Sequence, residues 1–130
     1  MEMLGEGQAL LEQKKWDEAL AAYRAAVEKD PEMSEAWFQI GYAENEKNGG
    51  RGKATEASHA PLAHCLKLDP KHAKAHYYLS RVLHIVRKDD EGALASLREA
   101  IRLGLKDPRA YANLGILLRD RGEDADAEAS

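Results

Sequence analysis

The chain has 130 residues, 44% of them apolar, which suits one domain with a buried core and excludes a disordered or fibrous protein. Its net charge of −4 argues against a dedicated nucleic-acid binder, because phosphate contacts need clustered cations, whereas Lys14, Lys15, Arg51, Lys53 and Lys71 to Lys74 are interspersed with acidic residues. No run approaches the ~20 apolar residues of a membrane helix, the start Met1-Glu2-Met3-Leu4 is no secretory signal, and the single Cys65 excludes an internal disulfide, so a soluble cytoplasmic protein without membrane insertion is expected.

Three Asp-Pro dipeptides, Asp30-Pro31, Asp69-Pro70 and Asp107-Pro108, lie 39 and 38 residues apart and divide the chain into repeating units. Before Pro31, the residues Ala19, Tyr23 and Ala26 stand at i, i+4 and i+7, small residues bracketing a large one, which predicts a helix that a partner approaches closely. After it, Trp37, Ile40 and Gly41 place a ring, an aliphatic residue and a small residue on one helical face. The glycine-rich Asn48 to Gly52 predicts a loop, and Ser58, Leu62 and Cys65 then repeat the small-large-small spacing. Pro61 within that stretch predicts a helix that starts near Ser58, with the proline in its first turn, or one that is kinked there.

His76, Leu79 and Ser80 open the next unit, followed by Ala93, Leu97 and Ala100 and a helix C-cap at Gly104. Tyr111, Leu114 and Gly115 open the last. The proline before each new helix prevents continuation of the old one, and the residue preceding it is pushed out of the helical region.

Chemistry-bearing motifs fall short. Gly49-Gly50-Arg51-Gly52-Lys53-Ala54 lacks the first glycine and the hydroxyl residue of a phosphate loop. His72 and His76 share a helical face at i, i+4, but no third ligand stands at a defined spacing, and His76 occupies the ring position of Trp37 and Tyr111, which predicts a packed ring. Cys65 stands where the pattern has alanine and is expected to be a small packed residue. No nucleophile-base set is present, so no catalytic residue, metal or cofactor is expected.

The ordered combination resembles the tetratricopeptide repeat, with its pattern Trp-x-x-Leu-Gly-x-x-Tyr, Ala-x-x-x-Phe-x-x-Ala and Pro. Gly7, Ala19, Tyr23, Ala26 and Pro31 fit in the first unit, with Met3 in place of the opening ring. Trp37, Ile40, Gly41, Leu62 and Pro70 fit in the second, His76, Leu79, Leu83, Ala93, Leu97 and Ala100 in the third, and Tyr111, Leu114, Gly115 and Leu118 in the fourth. The resemblance implies an all-α, right-handed superhelical solenoid of antiparallel helix pairs. It would form a single domain over 1–130, with repeats at about 1–33, 34–72 and 73–108 and a partial fourth over 109–130. Relative to the family's period, the second and third units carry extra residues, at Asn48 to Gly52 and in part at Gly104 to Lys106. Such arrays act as non-catalytic scaffolds for proteins or peptides, alone or as a regulatory or targeting segment of a larger, even enzymatic, protein.

In such a stack the first helix of each pair lines a concave groove, and projection at 100° per residue selects the residues facing it. The set is Gln8 in the first unit, Phe38, Gln39, Tyr42 and Asn45 in the second, Lys74, Tyr77, Tyr78, Arg81 and His84 in the third, and Arg109 and Asn113 in the fourth. The rings offer rigid apolar area, the amides pair with peptide backbone and the arginines meet carboxylates, although Phe38 or Tyr77 alternatively packs between adjacent first helices. The side-chain set by which related domains hold the acidic tail of heat-shock chaperones is matched only at Lys74, with Leu4, Gln8, Gln39 and Tyr78 at the other positions. Starting one unit later finds Phe38, Tyr42, Tyr78, Arg109 and Asn113, again without the set, so that ligand is disfavoured. The last helix has no capping helix after it, which suggests a fragment of a longer chain or self-association through that open edge.

Overall fold

The computed structural model describes residues 15–47 and 54–129, with side chains through Asp120. Among the described residues there are α-helices, one short 3-10 turn and no strand. The helices are α1 (Trp16–Lys29), α2 (Ser34–Lys47), α3 (His59–Leu68, preceded by the 3-10 turn Glu56–Ser58), α4 (Ala73–Ile85), α5 (Asp90–Arg102) and α6 (Pro108–Ala129). Each packs on its successor. Short connections make successive helices antiparallel neighbours, giving an all-α helical-repeat solenoid. The helix expected around Gln8 and the glycine-rich stretch at 48–52 lie outside the described residues.

The first two Asp-Pro turns are built alike. Asp30 and Asp69 end α1 and α3 with N–H bonds to the carbonyls of Ala26 (2.9 Å) and Cys65 (2.8 Å). Their carboxylates accept from the N–H groups of Glu32 and Lys71, and their carbonyls accept from Met33 and His72, closing a tight turn around the proline. A ring on the next helix then returns to the turn. Trp37 Nε1 donates to the carbonyl of Pro31 at 2.8 Å, and His76 Nε2 makes the same bond to Pro70 at 2.8 Å. The imidazole thus substitutes for an indole as a hydrogen-bonding strut, which adds a polar role to the expected packed ring.

The third Asp-Pro is a different device. Pro108 is the first residue of α6, where a missing N–H costs nothing, and the Asp107 carboxylate accepts from the N–H of Arg109 at 2.9 Å. The preceding helix is ended instead by Gly104 at φ +100, with Leu105 N–H reaching back to the carbonyl of Ala100. Counted from helix starts at Ser34, Ala73 and Pro108, the spacings are 39 and 35 residues. The surplus that proline alignment assigns to the third unit therefore largely reflects a proline in a new role. Pro61 is the third residue of α3, inside the turn whose N–H groups have no helical partner.

Small residues set the helix spacing. Ala19, Ala26, Ala36, Ala43, Cys65, Ala75, Ala93, Ala100 and Ala110 are all buried, each where a neighbouring helix crosses. One core cluster joins α1 to α2 and a second runs from α2 to α6, and Trp37 and Tyr42 pack against both, so the core is continuous. Gly41 is the tightest crossing: a Cβ there would lie 2.6 Å from Leu62 Cγ of α3. Its counterpart Gly115 has nothing within 4 Å.

A matched pair of variants checks this. Gly41→Ala is expected to destabilise the protein by about 1–3 kcal/mol through overpacking. Gly115→Ala is expected to be neutral or to stabilise by up to about 1 kcal/mol, because only helix propensity changes. Urea unfolding of both measures the difference.

Candidate functional site

The first helices α2, α4 and α6 meet along a column of rings. Phe38 and Tyr42, one turn apart on α2, approach Tyr78 of α4 with ring centroids 5.9 and 5.4 Å away, and Tyr78 meets Tyr77 edge-on at 5.0 Å. Trp16 of α1 extends the column to Tyr42 at 6.5 Å. Such edge and tilted contacts fix ring orientation beyond simple burial. Cations close the far side, where the Arg81 guanidinium lies 5.6 Å from the Tyr78 ring centroid and that of Arg109 lies 5.7 Å from Tyr77.

Above the column is a cleft of about 640 Å³. Of the sequence-derived set, it brings together Phe38, Gln39, Tyr42, Lys74, Tyr77, Tyr78 and Arg109. Phe38, Tyr77 and Tyr78 are largely buried and also line it, so they serve as core and wall at once. Leu105, Lys106 and Asp107 complete the lining from the turn between α5 and α6. Projection along helices passes over them because a turn has no helical period.

A second, smaller hollow of about 230 Å³ gathers Arg81, His84 and Asn113 with Ile116 and Leu117. His84 Nδ1 lies 2.8 Å from the Asp90 carboxylate, which ties α4 to α5. Asn45 departs from expectation. It is 2% exposed, lines neither hollow, and neither of its amide atoms has a hydrogen-bond partner among the described residues. A buried, unpaired amide costs about 1–3 kcal/mol. Gln8 lies outside the described residues.

The charges around the cleft are largely engaged with one another. Asp107 holds Arg109 through Nη2 at 2.7 Å and Nε at 3.1 Å, which lowers the acid's pKa and raises that of the guanidinium. Glu35 accepts from His72 Nε2 at 2.8 Å and from Gln39 at 3.0 Å. His72 Nδ1 accepts the Ala75 N–H at 3.1 Å and so caps α4, which fixes the ring as the Nε2–H tautomer. The two histidines at i, i+4 thus reach different partners, Glu35 and the Pro70 carbonyl. Lys74 is close enough to lower the pKa of both Glu35 and Asp107, and it forms no ion pair of its own among the described residues. Burial raises the phenol pKa of Tyr42 and Tyr78, keeping both hydroxyls protonated as donors. Cys65 is buried, and its thiol is pushed up to about 12 by desolvation, so it offers no nucleophile.

A family model described as tetratricopeptide repeat matches residues 4–57. Over 121 residues, 90% of this chain, the sequence is 31% identical to the tetratricopeptide repeat-containing protein trd-1 of Caenorhabditis elegans. The chain belongs to the tetratricopeptide repeat family. It spans 14% of the length of trd-1. Among solved structures, its tetratricopeptide fold is shared with the first such domain of Spaghetti (RPAP3) bound to the HSP90 peptide SRMEEVD, at a TM-score of 0.80 and 16% identity over 92% of this chain and 90% of that one. The Yersinia enterocolitica type III secretion translocator chaperone SycD follows the same fold at 0.77 and 12% identity, over 93% and 84%. The Thermobaculum terrenum O-GlcNAc transferase mutant K341M does so at 0.74 and 24%, over 89% of this chain and 21% of that one.

The Glu35–His72 link between α2 and α4 has a pH signature. Its hydrogen bond, ahead of the other causes, holds the Glu35 carboxyl below the ordinary 4.5 despite the opposing effect of burial. A carboxyl depressed in the folded state stabilises fully above its unfolded value, and the contribution disappears as pH falls through the folded one. The stability difference between wild type and Glu35→Gln should therefore be constant above pH 4.5 and shrink below it, measured by urea midpoints. Parallel curves down to pH 3 would show that the link contributes nothing.

Proposed function

We propose that this tetratricopeptide segment is a non-catalytic protein-interaction module of the cytoplasm, whose cleft takes an extended peptide segment of a partner protein. An anionic group of that segment meets Lys74 and Lys106, and an apolar side chain lies against Tyr42 and Tyr78. The observation that carries this reading is the uneven electrostatics of the cleft. Glu35 and Asp107 are occupied by His72 and Arg109, whereas Lys74 and Lys106 have no ion pair among the described residues. A cleft of aromatic rings and phenol donors with unpaired ammonium groups favours a partner that is both acidic and apolar.

The shared fold supports the scale of the proposal, since the Spaghetti domain holds an acidic heptapeptide. The side chains differ, because only Lys74 stands where the chaperone-tail set requires its residue, so the proposal covers acidic peptides as a class and does not extend to that tail. No helix among the described residues is long and apolar enough to cross a membrane. A second reading, a targeting or regulatory segment of a larger protein, is favoured by the small share of trd-1 and of the transferase chain that this segment spans.

An array of synthetic peptides of graded charge tests the proposal. Acidic peptides with one or two large apolar residues should bind best, and Lys74→Glu should weaken them roughly tenfold or more, about 1.4 kcal/mol. Lys67→Glu on the exposed side of α3 should leave binding unchanged. Preference for basic peptides, or equal binding by Lys74→Glu, would contradict the assignment.

A further inference from the structure

The lining of the cleft holds three cations, Lys74, Lys106 and Arg109, and one carboxylate, Asp107. Lys74 and Lys106 have no ion pair among the described residues, whereas Asp107 already occupies Arg109. It does so across a fork. Arg109 Nη2 donates to Oδ2 at 2.7 Å, and Nε donates to the same oxygen at 3.1 Å and to Oδ1 at 3.2 Å. A planar, two-oxygen anion set side-on to a guanidinium is the geometry in which arginine reads a carboxylate, and an ammonium cannot reproduce it. The protein thus carries, in its own cleft, an example of the group that this seat accepts.

The pair opens at small cost. The Arg109 side chain is 60% exposed and that of Asp107 25%, and an ion pair this open to water holds weakly, because solvent competes for both charges. Neither partner depends on the other for its place. Asp107 also accepts the Arg109 N–H through Oδ1 at 2.9 Å, so its role as the N-cap of α6 survives loss of the guanidinium. Arg109 lies 5.7 Å from the Tyr77 ring centroid and close enough to the Tyr78 phenol to lower its pKa. These two rings hold the guanidinium against the wall of the cleft whether or not Asp107 is bound to it.

We propose that Arg109 is a latent second carboxylate seat of the cleft and Asp107 its internal competitor: an acidic side chain of the bound segment exchanges with Asp107 on the guanidinium. This rests on the reading of the cleft as a site for acidic, apolar peptides and sharpens it. A partner with one acidic group meets Lys74 and Lys106 and leaves the Asp107–Arg109 pair closed. A partner with two opens it. Because one ion pair replaces another, the second acid adds little affinity while Asp107 is present, and its full contribution emerges only when the competitor is removed.

The probe is a set of synthetic peptides with one apolar anchor and one fixed Glu, in which a second residue, Glu or Gln, is moved along the sequence. Binding to the full chain is measured by titration calorimetry at about 0.5 M salt, where the Debye length is about 4 Å and contact pairing outlasts long-range attraction. At the best position Asp107→Asn, which keeps an N-cap residue, should raise the preference for Glu over Gln about two- to fivefold above that of wild type. The double variant Asp107→Asn with Arg109→Gln, whose net charge equals that of wild type, should lose that gain, circular dichroism confirming the fold of both. In wild type the two-acid peptide, unlike its Gln counterpart, should raise the pH at which the Asp107 carboxyl carbon signal titrates, since Arg109 holds that acid low in the free protein. An unchanged preference in Asp107→Asn, a gain that persists without Arg109, or an Asp107 titration indifferent to the peptide would overturn the inference while Lys74-dependent binding left the cleft reading standing. Failure of every acidic peptide to bind would overturn both.

Discussion

The stack depends on how closely two helices of a pair approach. At Gly41 the approach is so close that even a methyl group would enter the space of the Leu62 side chain, and the alanines and Cys65 along the other crossings act in the same sense. With each pair drawn together on one side, the larger residues of the first helices are left on the other side, where they must fill the gap to the next first helix. Phe38, Tyr42, Tyr77 and Tyr78 do this, and their tilted contacts form a wall rather than a loose apolar surface. The cleft is what remains above that wall. Small residues on the inner crossing and rings on the outer one are therefore two consequences of one spacing constraint.

Connections between units carry the same economy. Asp30 and Asp69 each end a helix, shape a turn and brace it, and the following ring, indole in one unit and imidazole in the next, ties the turn to the new helix through the proline carbonyl. His72 then links the units: one nitrogen caps α4 while the other bonds Glu35 on α2, and its ring lies 4.5 Å from Phe38. The Glu35 carboxylate is thereby held by a hydrogen bond from a neutral imidazole, whereas Asp107 and Arg109 neutralise each other at the rim of the cleft. Lys74 is near both carboxylates and is left exposed, and the anion preference proposed for the cleft rests on it.

Much of this was legible in the sequence, because the determinants are periodic. Small-large-small spacing and the ring-aliphatic-glycine pattern repeat at helical intervals and locate the crossings without coordinates. Projection from those helices also selected most of the cleft. Its limit is a side chain whose fate depends on a neighbour: Asn45 has the right angular position, yet it is enclosed, and Phe38 and Tyr77 are largely buried, in line with the alternative of packing between first helices. It missed Leu105 and Lys106 because they lie on a turn. The third Asp-Pro misled for a related reason, since a dipeptide read as a terminator serves as a helix start when glycine has already ended the previous helix. The His76 strut had a readable signal in the six-residue interval from Pro31 to Trp37 and from Pro70 to His76.

The central claim is that the cleft between α2, α4 and the turn leading into α6 is the working surface. Hydrogen–deuterium exchange of the chain with and without a saturating acidic, apolar peptide tests it most directly. Added protection should be concentrated in residues 35–46, 74–81 and 105–113, where the wall and rim of the cleft lie. Protection confined to α1, α3 and α5, with those segments unchanged, would contradict the account and move the binding surface to the other side of the solenoid.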